Sequence, residues 1–435
     1  MDILKFFTVR GVRIPAHKEK TKDLKVESIK PSKHLYFPMA MHIGKPAKPI
    51  VMIGDSVKIG TLLGESEGGV STNIHSSVSG KVVSIPKDES KKGLETVIIE
   101  NDYRDDKVKL KDLNESITTE DFMKRLEEAG ITGKGGAGFP AHIKYDMERH
   151  KSKYLVINGS ECEPYSTADH RCMVEYASEI VKIIQLIEKT YEVDEAFIAV
   201  EEHMTESRDA LKQALKERNA ERITLYELPA IYPQGHSGLQ IHQILGLEIE
   251  EGQRSGDIGV LQSNVSTIKA IYDAVFNNES FHKRIITVTG PMIKNPKNVM
   301  VRLGTQVEHI VEACGGFHPG VRINISGGPM MGKSFEDLTL PVDKDTTTLL
   351  FLKRYGKEEE RACIRCAKCV NCCPVSLQPI LISNAYRNRE YEMGNILKSE
   401  SCISCGICTY ICPSRITLLE DIQKLNKALE GIEDD

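Results

Sequence analysis

The chain has 435 residues, 40% of them apolar, with 57 basic against 62 acidic side chains and a net charge of -5. A phosphate-gripping surface needs a basic excess, so this balance argues against a nucleic-acid partner. No apolar run approaches the ~18 residues that span a bilayer, and the mixed residues 1–10 are too short for a secretory signal. The size leaves room for three or four cores. Twelve cysteines, most in one spaced array and the rest (Cys162, Cys172, Cys314, Cys372) scattered, fit a reducing compartment better than a disulfide scaffold.

Residues 1–50, rich in Lys, His and Pro, read as an extended lead-in that contains Phe7-Thr-Val-Arg-Gly11 and His42-Ile-Gly-Lys-Pro46. Over 51–100 the pattern turns to short strand-like pieces cut by glycines, at 54–60, 62–65 and 75–85. This stretch resembles the barrel-sandwich hybrid of lipoyl and biotinyl carriers. No lysine stands in the tip-like segment 68–77, which points to a docking or structural module rather than a swinging arm.

After a polar linker, Thr118-x-x-Asp121 matches a capping box, Phe122, Leu126 and Ala129 share a helix face, and Gly130 supplies the stop. The glycine loop Gly133-Lys-Gly-Gly-Ala-Gly138-Phe-Pro140 follows, where missing side chains let backbone amides approach an anionic group. Then strand and helix alternate: a strand at 154–158, a helix at 173–190 with Ala177, Ile180, Val181, Ile184 and Ile187 at helical spacing, and a strand at 196–200. A helix marked by Leu211, Ala214 and Leu215 and a strand at 223–228 complete the run. Such an order predicts a largely parallel, Rossmann-like sheet over 118–284 whose ligand sits beyond the strands' carboxyl ends. The first strand ends in Asn158-Gly-Ser-Glu161-Cys-Glu163-Pro164, two carboxylates able to accept hydrogen bonds from sugar hydroxyls or an amide; a solvated acidic turn is the other reading. Tyr232-Pro-Gln-Gly235 and a glycine-punctuated loop precede Gln262-Ser-Asn264-Val-Ser-Thr267, which opens a helix whose amides point outward. Residues 285–340 read as a compact β-grasp insert, with the turn Gly327-Gly-Pro-Met-Met-Gly332, and 354–435 as a helical unit around the cysteines.

Those cysteines run Cys363-x2-Cys366-x2-Cys369-x3-Cys373-Pro374, then Cys402-x2-Cys405-x2-Cys408-x3-Cys412-Pro413 starting 29 residues after Cys373. Three thiolates at two-residue gaps bind three irons of one [4Fe-4S] cube, and the Pro-linked fourth serves the other cube. The spacing therefore predicts one cluster on Cys363, Cys366, Cys369 and Cys412 and a second on Cys402, Cys405, Cys408 and Cys373. A pair of zinc sites, which a lone C-x2-C would suggest, does not account for the duplication. Cys372 breaks no spacing and reads as a packing residue.

Gly133 to Pro140, Asn158 to Pro164 and Asn264-Val-Ser-Thr267 resemble the flavin and NADH site of the 51-kDa-type flavoprotein subunit of respiratory complex I. The whole chain resembles the family of C subunits of the Rnf complex, the ion-translocating ferredoxin:NAD oxidoreductase, through His42-Ile-Gly-Lys-Pro46, Gly327 to Gly332 and the doubled cysteine run. The resemblance implies a multidomain α/β fold with a barrel-sandwich hybrid, a Rossmann-like FMN/NADH domain, an SLBB-type β-grasp insert and a two-cluster ferredoxin-like domain. It implies FMN contacts at Gly133, Lys134, Gly135, Lys144, Asn158, Glu161, Asn264 and Thr267. Gly136, Ala137, Phe139 and Glu163 would face NADH. Two positions depart from the pattern: Ser160 stands where the complex I subunit has Asp, and Ser237 where related C subunits have Glu.

The expected function is hydride exchange between NAD(H) and FMN, with single electrons passed through two clusters to a partner, in an oxidoreductase that couples this to Na+ or H+ translocation. FMN and two [4Fe-4S] clusters are the cofactors and NAD(H) the substrate; no general acid or base is required. The partners would be Rnf B, D and G type subunits, with ferredoxin reached indirectly, at the cytoplasmic face of the membrane as a peripheral protein. A soluble FMN and iron-sulfur reductase of corrinoid or proline reductase type, and a non-catalytic electron-wiring adaptor, are the alternatives.

Overall fold

The computed structural model describes residues 10–91, 93–113, 117–133, 138–148, 152–250, 252–356 and 359–431. Its centre is a four-stranded parallel sheet in the order Ile223–Leu228, Glu195–Glu201, Tyr154–Asn158, Val260–Asn264. The chain runs outward from Tyr154–Asn158 through two strands, then returns to lay Val260–Asn264 on the opposite side. That reversal leaves a crevice between the carboxyl ends of the two middle strands, where α/β sheets hold their ligands. In register, Asn158 stands opposite Asn264 across it. The fourth strand lies where the sequence shows only a loop before a helix. Val260 and Leu261 are followed by polar Gln262 and Ser263, yet all four are buried because both faces of the strand are covered.

One face packs on the helices Thr119–Ala129, Ala168–Tyr191 and Val265–Phe276, with Leu155, Ile157, Ile180, Ile184, Ile198 and Ile268 in a single apolar core. Val156, Phe197 and Val260 point the other way and pack on Ile241 of the helix Ser237–Leu245. Helix Thr119–Ala129 begins and ends as its sequence dictates. The Thr118 side chain accepts from the Asp121 amide, the Asp121 carboxylate accepts from Thr118, and Gly130 closes the helix at φ 68. Phe122, Leu126 and Ala129 are wholly buried.

Two antiparallel sheets make the barrel-sandwich module. One runs His34–Pro38, Leu94–Asn101, Gly80–Ser84, Ser56–Val57; the other Lys48–Pro49, Leu62–Glu65, Ile74–His75. Its first strand comes from the lead-in, ahead of the residue-51 boundary read from the sequence, because Leu35 and Phe37 alternate inward with partly exposed neighbours. The β-grasp sheet likewise extends past residue 340. The apolar run Thr348–Lys353 pairs with both Lys283–Thr289 and Arg322–Ser326, while Val26–Ser28 joins the far edge against Lys297–Arg302. Barrel-sandwich and β-grasp residues share one core, in which Phe37, Leu63, Val82 and Val97 meet Ile286, Val299, Leu349 and Phe351.

The C-terminal unit is helical. Two short helices, Lys368–Cys372 and Ile407–Ile411, each follow a cysteine loop, and two longer ones, Pro379–Arg387 and Leu418–Leu429, pack on each other. Among the described residues no helix is long and apolar enough to cross a membrane.

Candidate functional site

The crevice is built by groups that hold one another. Asn158 Nδ2 donates to the Gly235 carbonyl at 2.9 Å, and its Oδ1 accepts from Ser160 N at 2.9 Å and Gln240 Nε2 at 3.1 Å. Gln240 also donates to Ser160 Oγ and accepts from Gln262 Nε2, while Ser237 Oγ bonds to Gln262 Oε1. Ser160 and Ser237, the two positions that depart from the family pattern, thus meet in one network at the strand ends. Opposite, Asn264 Oδ1 accepts from Ser266 N and caps the helix Val265–Phe276; its amide donates to Asp169. Thr267 is buried in the first turn of that helix.

The two predicted carboxylates are placed differently from each other. Glu161 is buried and accepts from Ser166 Oγ and from the Asp169 and His170 amides at the start of helix Ala168–Tyr191. Burial raises its pKa, opposed by Lys18, whose ammonium bonds to the Glu161 carbonyl. Glu163 reaches out of the domain, accepting from Met330 N at 3.1 Å and Met331 N at 2.8 Å in the β-grasp turn. A Cβ at Gly328 would stand 2.1 Å from its Oε2, so the turn must carry glycine there for the carboxylate to seat. Desolvation raises the Glu163 pKa against those two bonds.

The glycine loop is pinched at its root, where Gly133 N donates to the Phe139 carbonyl at 2.7 Å and Thr132 bridges Pro140. Lys134, Gly135, Gly136 and Ala137 lie outside the described residues. Phe139 and Lys144 are half-buried on the far side of the loop. The barrel-sandwich module backs it: Gly138 lies against His42 and Ile43, and Ile43 N donates to the Gly138 carbonyl. Lys344, fully buried, donates to the carbonyls of Asn73 and Gly130 and so ties that module to the helix end just before the loop.

Buried polar atoms without partners stand near these elements. They include Thr132 Oγ1 at the loop root and both amide atoms of Gln234, whose successor Gly235 bonds to Asn158 and Cys162. Such atoms carry a penalty of about 1–3 kcal/mol each until something binds them, so the crevice suits a polar, hydrogen-bonding ligand such as a flavin.

The array cysteines meet across their two loops. A small cavity is lined by Cys373, Cys402, Cys405 and Cys408, with Val375, Leu377, Ile403 and Ile407 as its apolar walls. The Cys373 thiol lies within electrostatic reach of Cys402 and Cys405, and Cys369 within reach of Cys412. Four thiols around an apolar cavity are the donor set a [4Fe-4S] cube takes. Among the described residues no three such side chains close on a single point as one metal ion would require. Cys372 donates weakly to the Cys369 carbonyl and packs with Tyr232, Cys405 and Ile407.

Sequence reasoning missed Lys18, Gln240 and Lys344, and it quoted Tyr232 and Gln262 in motifs without the contacts they make. The Tyr232-Pro-Gln-Gly235 motif marked its stretch of chain without its role. Lys18 and Lys344 had no signal, since lone lysines are usually solvated.

A switch-point crevice and a doubled cysteine array in one chain define a flavin and iron-sulfur electron-transfer protein. Residues 126–273 match the FMN-binding domain of the Nuo51 family, 7–104 the barrel-sandwich hybrid domain of RnfC, 285–334 the SLBB domain and 356–422 a 4Fe-4S dicluster domain. The expected modules are therefore present in the expected order. The chain is 36% identical to the C subunit of the Na(+)-translocating ferredoxin:NAD(+) oxidoreductase complex of Acetobacterium woodii, over 89% of this chain and 87% of that one. It is 35% identical to the proton-translocating counterpart of Clostridium ljungdahlii, over 86% and 83%. The chain belongs to this family of C subunits. Its backbone is also similar to an NAD+-reducing [NiFe]-hydrogenase chain, with a TM-score of 0.51 and 16% identity over 73% of this chain and 68% of that one, a likeness of fold.

Proposed function

We propose that the chain is the NAD(H)-exchanging subunit of a membrane-bound NAD:ferredoxin oxidoreductase that couples electron transfer to Na+ or H+ translocation. The observation that carries this reading is the joint presence of the Asn158 and Asn264 crevice and the cavity lined by four thiols. Bound FMN supplies exchange of a two-electron hydride for single electrons, and the clusters supply one-electron carriage.

The chain's residues do the positioning. Gly133, Lys134, Gly135, Lys144, Asn158, Asn264 and Thr267 line FMN, with the two lysines offsetting its phosphate. Gly136, Ala137 and Phe139 face NADH, Phe139 offering an aromatic face to adenine. Glu161, held by the Asp169 and His170 amides, belongs with the FMN set, and Glu163, held by the Met330 and Met331 amides, with the NADH set. Cys363, Cys366, Cys369 and Cys412 hold one cluster; Cys402, Cys405, Cys408 and Cys373 hold the other. The protein sits peripherally at the cytoplasmic face, against B, D and G type subunits, and ferredoxin is reached through them.

Anaerobically purified protein tests the reading. It should release about one FMN on acid precipitation and carry the eight irons of two cubes, and NADH should bleach the flavin and cluster absorbance. Flavin and iron without bleaching would leave a non-catalytic wiring adaptor. A chain found wholly in the soluble fraction of its native cells would leave a soluble flavin and iron-sulfur reductase.

A further inference from the structure

The Tyr232-Pro-Gln-Gly235 motif lies between the crevice and one of the two cysteine sets. Tyr232 is 3% exposed, and its hydroxyl donates to the Cys405 carbonyl at 2.8 Å. Three residues on, the Gly235 carbonyl accepts from Asn158 and the Gly235 amide donates to Cys162 Sγ at 3.4 Å. One turn of chain therefore touches the crevice strand and the cysteine loop 402–408. Tyr232, Cys405, Cys372 and Ile407 form a buried apolar group with Cys162 and Met330 around it. The turn is fixed from behind: Tyr232 exchanges both backbone bonds with Val12 at 3.0 Å, and a Cβ at Gly11 would stand 2.3 Å from the Tyr232 carbonyl oxygen. The other cysteine loop faces solvent. Residues 361–368 are exposed throughout, and Ile364, between Cys363 and Cys366, is 67% exposed.

We propose that Tyr232 is a positioning residue that seats the loop of Cys402, Cys405 and Cys408 on the crevice domain. The cluster held by those cysteines and Cys373 is then the inner one, next to the flavin, and the cluster of Cys363, Cys366, Cys369 and Cys412 is the outer one. This rests on the ligand sets proposed above. A phenol keeps its proton at neutral pH, its ordinary pKa being about 10, so the Tyr232 hydroxyl is a donor held by its bond to the Cys405 carbonyl. Its hydroxyl dipole points its positive end at the inner loop, which favours the reduced, more negative cluster; hydrogen bonding and solvent access are what set such potentials.

The test titrates the anaerobic holoprotein and reads each cluster by electron paramagnetic resonance, for the unmodified chain, Tyr232→Phe and Ile364→Glu. The exposed Ile364→Glu change brings a negative charge to the outer loop and marks the outer signal by lowering its midpoint. Tyr232→Phe should keep full iron and flavin and lower the midpoint of the other signal. If both variants move the same signal, or Tyr232→Phe moves neither, the assignment is overturned. Fewer than two cluster signals in the unmodified chain would instead overturn the ligand sets on which it rests.

Discussion

Glu201, at the end of its strand, shows how far a buried charge can be pushed. Desolvation raises its pKa from 4.5 to about 7, with Lys18 opposing and Glu161 adding to the shift, while His203 lies 3.4 Å from its Oε2. A carboxyl whose folded pKa lies above its unfolded one stabilises the fold below the unfolded value, and that contribution is lost as pH rises through the folded value. The window here is pH 4.5 to about 7, and at 1.36 kcal/mol per unit the effect is at most roughly 3 kcal/mol. Glu201→Gln should therefore flatten the decline in melting temperature between about pH 5 and 7, and an unchanged profile would show that another group governs it. Glu163 makes the complementary case. Glu163→Ala strips the Met330 and Met331 amides of their acceptor and should cost roughly 1.5–3 kcal/mol, the range for bonds to a charged group. Melting curves with and without FMN separate this loss of stability from loss of the ligand.

At the level of elements, glycine positions give a sharp contrast. Gly130 closes a helix at φ 68 with the Asn73 carbonyl 2.3 Å from where a Cβ would lie, whereas Gly54, at φ 101, has nothing within 4 Å of its own. Gly130→Ala should lower the melting temperature well beyond Gly54→Ala, which bears only the backbone penalty of roughly 1–2 kcal/mol. Lys344 belongs to the same junction. Desolvation lowers its pKa to about 7, and Lys344→Met would leave the Asn73 and Gly130 carbonyls without that donor, costing roughly 1–3 kcal/mol for each buried group left unsatisfied. Hydrogen exchange should then rise at the end of helix Thr119–Ala129 before it rises elsewhere.

Much of this was legible from local signals. The capping box at Thr118, the apolar periods of the long helices and the cysteine spacing all act over a few residues, so the chain states them directly. What was not legible depends on distant partners. Glu163 meets Met330, Gly11 admits Tyr232, and Leu35 and Phe37 face a core supplied partly by residues near 290 and 350. The strand Val260–Asn264 was hidden because cover on both of its faces, rather than alternation, makes it a strand. For the expected FMN contacts, the structure adds that Asn158, Asn264 and Glu161 are already engaged with their neighbours and so arrive preset.

For the whole molecule, no described helix is long and apolar enough to cross a membrane, and the peripheral seat proposed above can be tested directly. A high-salt or mild alkaline wash should release the chain from native membranes with its iron intact, and retention after such a wash would point to an anchor of another kind. The shared core of the barrel-sandwich and β-grasp modules has a further consequence, for synthesis. Val26–Ser28 finds its partner only at Lys297–Arg302, and Phe37 is sealed by residues as late as Phe351. Domains usually fold from the N-terminus as they emerge from the ribosome. Here the first module's apolar strands must wait until about four fifths of the chain, residue 351 of 435, has been translated, while the crevice domain, contiguous between them, closes first.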